Sequence, residues 1–232
     1  MRRMHRAILG GGLALTGVIC GPGTAGAAPS KAPPAVRCPA PRAEVIERLV
    51  RADCAACWAA AGPGDVSPVA SATSPRWTLD WIVPTTPEAP LAAAALPDAR
   101  ERAERIERGS LTPKVSARTA MPRLELQAGP GWHGYMAVRL ILRGAPVPGQ
   151  AWLALVEHLP AGSEGNAVRR ELVRSVAGPW PIDALRPSSP LDHLAALRWP
   201  EGVRPERLRA RAWLEAPDGR ILAMAADRCD AD

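Results

Sequence analysis

The sequence contains no phenylalanine and a single tyrosine, Tyr135. Leu, Val, Ala and the eight tryptophans must then fill the core, so most tryptophans are expected inside rather than stacked on a bound carbohydrate. A long apolar run is missing after the first twenty residues, which excludes a later membrane-spanning helix. No repeat of solenoid or propeller period is present. Histidine is scarce. His133, His158 and His193 have no partner at metal-ligand spacing and no nucleophile motif nearby, so each is expected to be a surface or packing residue.

Proline, in contrast, is abundant: 26 in 232 residues, about twice the ordinary usage of roughly 5%. Stiff, irregular connections and short elements follow from that. The chain opens with Arg2, Arg3 and Arg6, then an apolar stretch from Ile8 to Cys20, then Ala25-Gly26-Ala27. This is the pattern of an export signal cleaved near Ala27, and it predicts a periplasmic or secreted protein. A lipid anchor on Cys20 is the weaker alternative, because bulky Ile19 precedes that cysteine. Loss of residues 1–27 leaves 26 basic residues against 23 acidic ones, a net charge of +3. Acids and bases alternate, as in Arg100-Glu101-Arg102-Ala103-Glu104-Arg105, which reads as a solvated helix face and gives no footprint for nucleic acid.

Cys38, Cys54, Cys57 and Cys229 remain, an even number that in an exported chain favours disulfides. Four cysteines allow three pairings. Local spacing favours Cys54 with Cys57, which leaves Cys38 with Cys229 as a structural bridge. Zinc normally takes two local pairs, and Cys38 and Cys229 are isolated, so no metal and no cofactor is expected. A Cys-x-x-Cys pair at a helix start suits thiol–disulfide exchange: the first sulfur lies near unpaired backbone N–H groups that favour its thiolate, and the second lies one turn away. On this pattern Cys54 attacks and Cys57 resolves. Asp53 opposes the thiolate and Arg51 offsets Asp53. The competing reading is a static disulfide in a non-catalytic envelope binding protein.

Residues 28–35 form an Ala/Pro/Ser-rich leader. The run from Ala43 to Val50 fits a strand or a helical turn. An Ala-rich helix is expected from Ala55 to Ala61, stopped by Gly62-Pro63-Gly64, with a β-prone segment from Trp77 to Val83 and a helix from Asp98 to Arg108. Further along, strands are expected over Tyr135–Leu142, Ala151–Glu157 and Leu208–Leu214, with Pro217-Asp218-Gly219 turning into a partner from Ile221 to Met224. Leu191 to Leu197 is the one candidate helix in that half.

The segment from Val45 to Cys57 resembles the opening of the exported bacterial thioredoxin-like proteins grouped as domain of unknown function 1223, which read V-V-E-L-F-T-S-x-G-C-x-S-C-P-P. Glu47 and both cysteines fall in register. Leu79-Asp80-Trp81 resembles that family's H-V-D-Y-W segment, Ala99-Arg100-Glu101-Arg102 its T-R-Q-R helix, and Leu111-Thr112-Pro113-Lys114-Val115 its Y-T-P-Q-V strand entry. Trp152 to Leu155 with Asn166, Arg169 and Gly178-Pro179-Trp180, and then Gly219 to Ala223, are similar to its later motifs. The chain departs from the pattern at Trp58-Ala59, Asp53, Thr78 and Trp81, as a divergent member would. The resemblance implies an α/β thioredoxin-like domain over 36–122, while the strand and turn pattern of the second half reads as a small, mainly antiparallel, sandwich-like β domain over 123–229, with 230–232 as a tail. The resemblance also implies that Thr112 and Pro113 border a partner peptide and that Glu47 is a proton acceptor for Cys57. The partners would be protein thiols or disulfides of the cell envelope.

Overall fold

The computed structural model describes residues 44–60, 76–108, 122–144, 148–182 and 191–228. Nine strands, β1 to β9, two α-helices, α1 and α2, and two short 3-10 turns (Ala92–Ala94 and Pro205–Arg207) make up the regular structure of these residues. β1 (Glu44–Arg51) and β2 (Arg76–Val83) lie parallel and in continuous register, from Glu44 opposite Arg76 to Arg51 opposite Val83. β-Branched Val45, Ile46 and Val50 suit β1 to a pleated, half-buried surface. α1 (Ala55–Ala59) follows β1, and α2 (Pro97–Arg108) follows β2.

The remaining strands are β3 (Arg123–Trp132), β4 (Tyr135–Arg143), β5 (Gly149–Leu159), β6 (Arg170–Ile182), β7 (Leu191–Arg198), β8 (Leu208–Glu215) and β9 (Ile221–Ala226). They divide between two sheets. One is six-stranded and mixed, in the order β1-β2-β6-β5-β8-β9; the other is antiparallel, in the order β3-β4-β7. β2 meets the start of β6 in parallel, with Asp80 opposite Leu172. From β6 onward the pairings are antiparallel.

β5 organises the core. Leu153 and Leu155 face the antiparallel sheet, where they join Leu126, Met136, Val138, Leu140, Ala210 and Ala212. Trp152, Ala154 and Val156 alternate to the other face and pack with Leu79, Trp81, Val173, Trp213 and Ala99 of α2. A strand buried on both faces needs cover on both sides, so it belongs in the centre of a sheet. Five of the eight tryptophans (Trp58, Trp81, Trp152, Trp199 and Trp213) are buried.

This arrangement corrects the expected fold. The chain is not an α/β thioredoxin fold followed by a small β domain: strands hold more than half of the described residues, and β1 and β2 sit at one side of a sheet whose other strands come from beyond residue 122. The physical reason lies in β5 and β6. Their apolar runs take the sheet centre, and the β1–β2 pair adds to that centre through the β2–β6 contact. A second correction concerns Leu191 to Leu197, which is strand β7. Its apolar residues fall at helical spacing, but every second side chain (Asp192, Leu194, Ala196) turns to solvent. α1 is also shorter than expected, ending at Ala59, with Ala60 already extended, rather than at Ala61. α2 and the β8–β9 hairpin lie where the sequence places them.

Candidate functional site

β1 does not stop abruptly. The Ala52 amide donates to Val83 O at 2.9 Å, which continues the pairing by one residue, and Ala52 is buried. The chain then turns, with Cys54 N–H on Arg51 O at 3.0 Å. Arg51 grips Asp53 with two hydrogen bonds of 3.0 and 2.6 Å at the surface. Those bonds hold the Asp53 carboxyl below its ordinary value of 3.8 and offset its charge beside Cys54.

Cys54 is the residue that caps α1. Its sulfur accepts the Cys57 N–H at 3.2 Å, and its carbonyl accepts from the amides of Cys57 and Trp58. Cys54 and Cys57 are joined as a disulfide, with Cα atoms 5.2 Å apart. Cys54 is half-buried and Cys57 is exposed.

A five-residue helix is too short to persist by propensity alone, so tertiary contacts must hold it. Trp58 is the anchor. It is 5% exposed and packs with Val50, Ala52, Ile82, Leu159 and Leu172. Its indole N–H donates to Glu164 O at 3.0 Å, and the Ala167 amide donates to Ala59 O at 3.0 Å, so the β5–β6 loop grips the same turn.

Arg170, the first residue of β6, completes the hold. One guanidinium nitrogen, Nη2, donates to the carbonyls of Cys57 at 3.4 Å, Trp58 at 2.8 Å and Ala60 at 2.5 Å, and the group lies over the Trp58 ring. These are carbonyls at the end of a helix, which have no intrahelical partner. The other nitrogen, Nη1, is 3.3 Å from Asp80 Oδ1. Fully buried Asp80 also accepts from Arg48 Nη2 at 2.7 Å and from the Glu171 amide at 2.8 Å, with Arg48 Nε 2.6 Å from Oδ1 as an ion-pair contact. Burial lowers the Arg170 guanidinium from its usual value, and Asp80 opposes that shift.

The other expected site residues lie elsewhere. Glu47 is on the opposite face of β1. Its carboxylate takes Arg102 Nε at 2.8 and 2.9 Å and Nη2 at 2.5 Å, and Arg102 Nη1 reaches Glu215 at 2.6 Å. Glu47 shares that face with Val45 and Leu49 under α2, whereas Arg48 and Val50 alternate to the α1 face. It is therefore an ion-pair partner of α2 and is not brought to Cys57. Thr112, Pro113, Cys38 and Cys229 lie outside the described residues.

His158 pairs with Glu171 at 2.8 Å, His193 stacks on Trp180, and His133 forms the β3–β4 turn. Among the described residues, no three His, Cys, Asp or Glu side chains gather as a metal site would require, and no helix is long and apolar enough to cross a membrane. Sequence reasoning missed Arg170, Arg48 and Trp58 as supports of the dithiol. Asp80 did leave a signal: an acid in the middle of a β-prone run between Leu79 and Trp81 is a candidate buried charge that needs a cation.

Compared with family models, curated proteins and solved structures, the chain matches none of them. The motif likeness described above thus stands as a resemblance in sequence alone.

Proposed function

We propose that this protein carries out thiol–disulfide exchange through Cys54 and Cys57, in an oxidising compartment reached by export, with protein thiols or disulfides as partners. The observation that carries the reading is the disulfide at an exposed turn, with a backbone N–H already aimed at one of its sulfurs. Opening such a bond leaves a thiolate on Cys54 that keeps a hydrogen-bond donor, and stabilising the leaving thiolate speeds exchange.

The support beneath α1 favours this reading over a static staple. Arg170, Trp58 and the β5–β6 loop hold the turn through its carbonyls and its aromatic ring, none of which depends on the S–S bond. The turn therefore keeps its place when the disulfide opens, and the two sulfurs stay close enough to close it again. A disulfide needed only for stability would leave a loose turn behind when reduced.

The test is catalysis by the full chain of insulin reduction driven by dithiothreitol. Acceleration by the wild type, lost in both Cys54→Ser and Cys57→Ser with the fold retained by circular dichroism, supports exchange. Equal rates with and without the protein would refute it.

A further inference from the structure

Within the exchange reading above, on which it rests, we infer that Cys57 carries the mixed disulfide with the partner and that Cys54 is the sulfur that leaves and later resolves. This reverses the order that the Cys-x-x-Cys pattern suggests by itself. Three observations support it.

The first is orientation. Cys54 caps α1 from outside the helix and is half-buried, and Trp58 marks the inner side of the turn. Trp58 is buried against Val50, Ile82 and Leu172, which turns that side toward the body of the protein. Cys57 lies about 100° around the turn from Trp58 and is exposed, as are Ala55 and Ala56 before it, whereas Cys54 is half-buried. A partner chain approaching from solvent meets Cys57 first.

The second is charge. The Cys57 N–H points at Cys54 Sγ at 3.2 Å. The sulfur that gains the electron pair when the bond opens is best stabilised where a donor already waits, and that sulfur is Cys54. A charge-assisted hydrogen bond of ordinary net strength corresponds to about a tenfold preference between otherwise equal leaving groups. The Arg51–Asp53 pair beside it adds no net charge against the thiolate.

The third is restraint. Arg170 holds the carbonyls of Cys57, Trp58 and Ala60, so the backbone that carries the attacked sulfur stays fixed during the reaction. A fixed backbone keeps Cys54 in line with the new bond on Cys57.

The step balances as follows. A partner thiolate attacks Cys57 Sγ and forms a partner–Cys57 disulfide. The Cys54–Cys57 bond breaks with its electron pair going to Cys54, which becomes a thiolate. A second partner thiolate then attacks the partner's own sulfur in that mixed disulfide. The bond to Cys57 breaks, Cys57 leaves as a thiolate and takes a proton from water, and the partner departs oxidised while the protein is left as a dithiol. If the second partner thiol is absent, Cys54 attacks Cys57 Sγ and expels the partner unchanged.

The test uses the oxidised full-length wild-type chain, so it depends on no variant folding. The protein is mixed rapidly with reduced glutathione, quenched with N-ethylmaleimide, and mapped by peptide mass spectrometry. Glutathione on Cys57 in about tenfold excess over Cys54, with the maleimide on Cys54, is the result expected. An equal split, or glutathione mainly on Cys54, overturns the assignment while leaving exchange in place. An adduct on neither cysteine overturns the assignment together with the exchange reading beneath it.

Discussion

Two helices flank the β1–β2 pair on opposite faces, and each is held by a buried arginine in a different way. On the α2 face the arginine belongs to the helix: Arg102 reaches down to two strand carboxylates, Glu47 and Glu215, and its ring contact is Trp152, itself stacked on Trp213. On the α1 face the arginine belongs to a strand: Arg170 reaches up to the helix backbone and is matched below by Asp80, which it shares with Arg48. Among the described residues, the first cluster has two carboxylates around one cation and the second two cations around one carboxylate. α2, with twelve residues and an Ala, Arg and Glu composition, can form its own hydrogen bonds and needs only docking. α1, with five, needs its backbone held. The carbonyl clamp sits beneath the dithiol.

The comparison can be broken by removing each arginine in turn. Arg102→Met leaves Glu47 and Glu215 buried without their cation, and Arg170→Met leaves Asp80 with Arg48 and the Glu171 amide. Breaking a buried pair from one side costs about 3–5 kcal/mol, and the greater loss is expected at Arg102, where no second cation remains among the described residues. Urea unfolding would measure both. Only Arg170→Met should also shift the glutathione redox equilibrium of the Cys54–Cys57 pair, toward the dithiol, because only that change frees the turn. An equal shift in Arg102→Met would erase the distinction between the two faces.

Next in size is Trp58→Ala. Removing a buried tryptophan costs about 3 kcal/mol or more, and here the Glu164 carbonyl also loses its donor. Proteolysis within 52–60 should rise well before the rest of the chain unfolds. Unchanged protection of that turn would mean that Arg170 alone holds it.

Much of the sheet was readable from the sequence. Tyr135 to Leu140 alternates because the outer face of β4 meets water there, and Pro217-Asp218-Gly219 marks the β8–β9 turn. β6 was hidden because its inward and outward residues do not alternate regularly and because it includes Gly178-Pro179-Trp180. β3 was hidden by Gly129-Pro130-Gly131 near its end. β7 misled, since Leu191, Leu194, Ala195 and Leu197 fit a helix as well as a sparsely covered strand. The parallel β2–β6 contact joins residues 80 and 172 and has no local signature at all. The site divides the same way. Cys54 and Cys57 declare themselves by spacing, whereas Arg170 lies 113 residues from Cys57 and nothing nearby in the chain marks it as a clamp.

A smaller effect concerns the pair beside Cys54. Arg51→Ala leaves Asp53 uncompensated and should raise the Cys54 thiol pKa in the reduced protein. Asp53→Asn should lower it. Both shifts are expected to be a fraction of a unit, because the pair is exposed, and the thiolate's ultraviolet absorbance against pH would read them. Shifts of the same sign in the two variants would contradict the account.

Asp227 supplies the contrasting case, a carboxyl buried away from both clamps. Burial raises it above 3.8, while the hydrogen bond from the Ala210 amide and Arg228 at 3.7 Å pull the other way. A raised folded value means that the protonated form is favoured in the native state. The associated stability is fully present below the unfolded value near 3.8 and is lost as pH rises through the higher folded value. Asp227→Asn should flatten that part of the stability–pH curve, measured by thermal unfolding across the acid range, and an unaltered slope would count against it.

The most direct measurement is the equilibrium between oxidised and reduced Cys54–Cys57 in the folded full-length protein, titrated with glutathione and dithiothreitol buffers and read by quantitative alkylation. Exchange on a turn that is held independently of its disulfide predicts a potential above about −300 mV, within the range of catalytic dithiols. A potential below that value, with the pair resisting dithiothreitol until the protein unfolds, would mean a structural bond and would contradict the account.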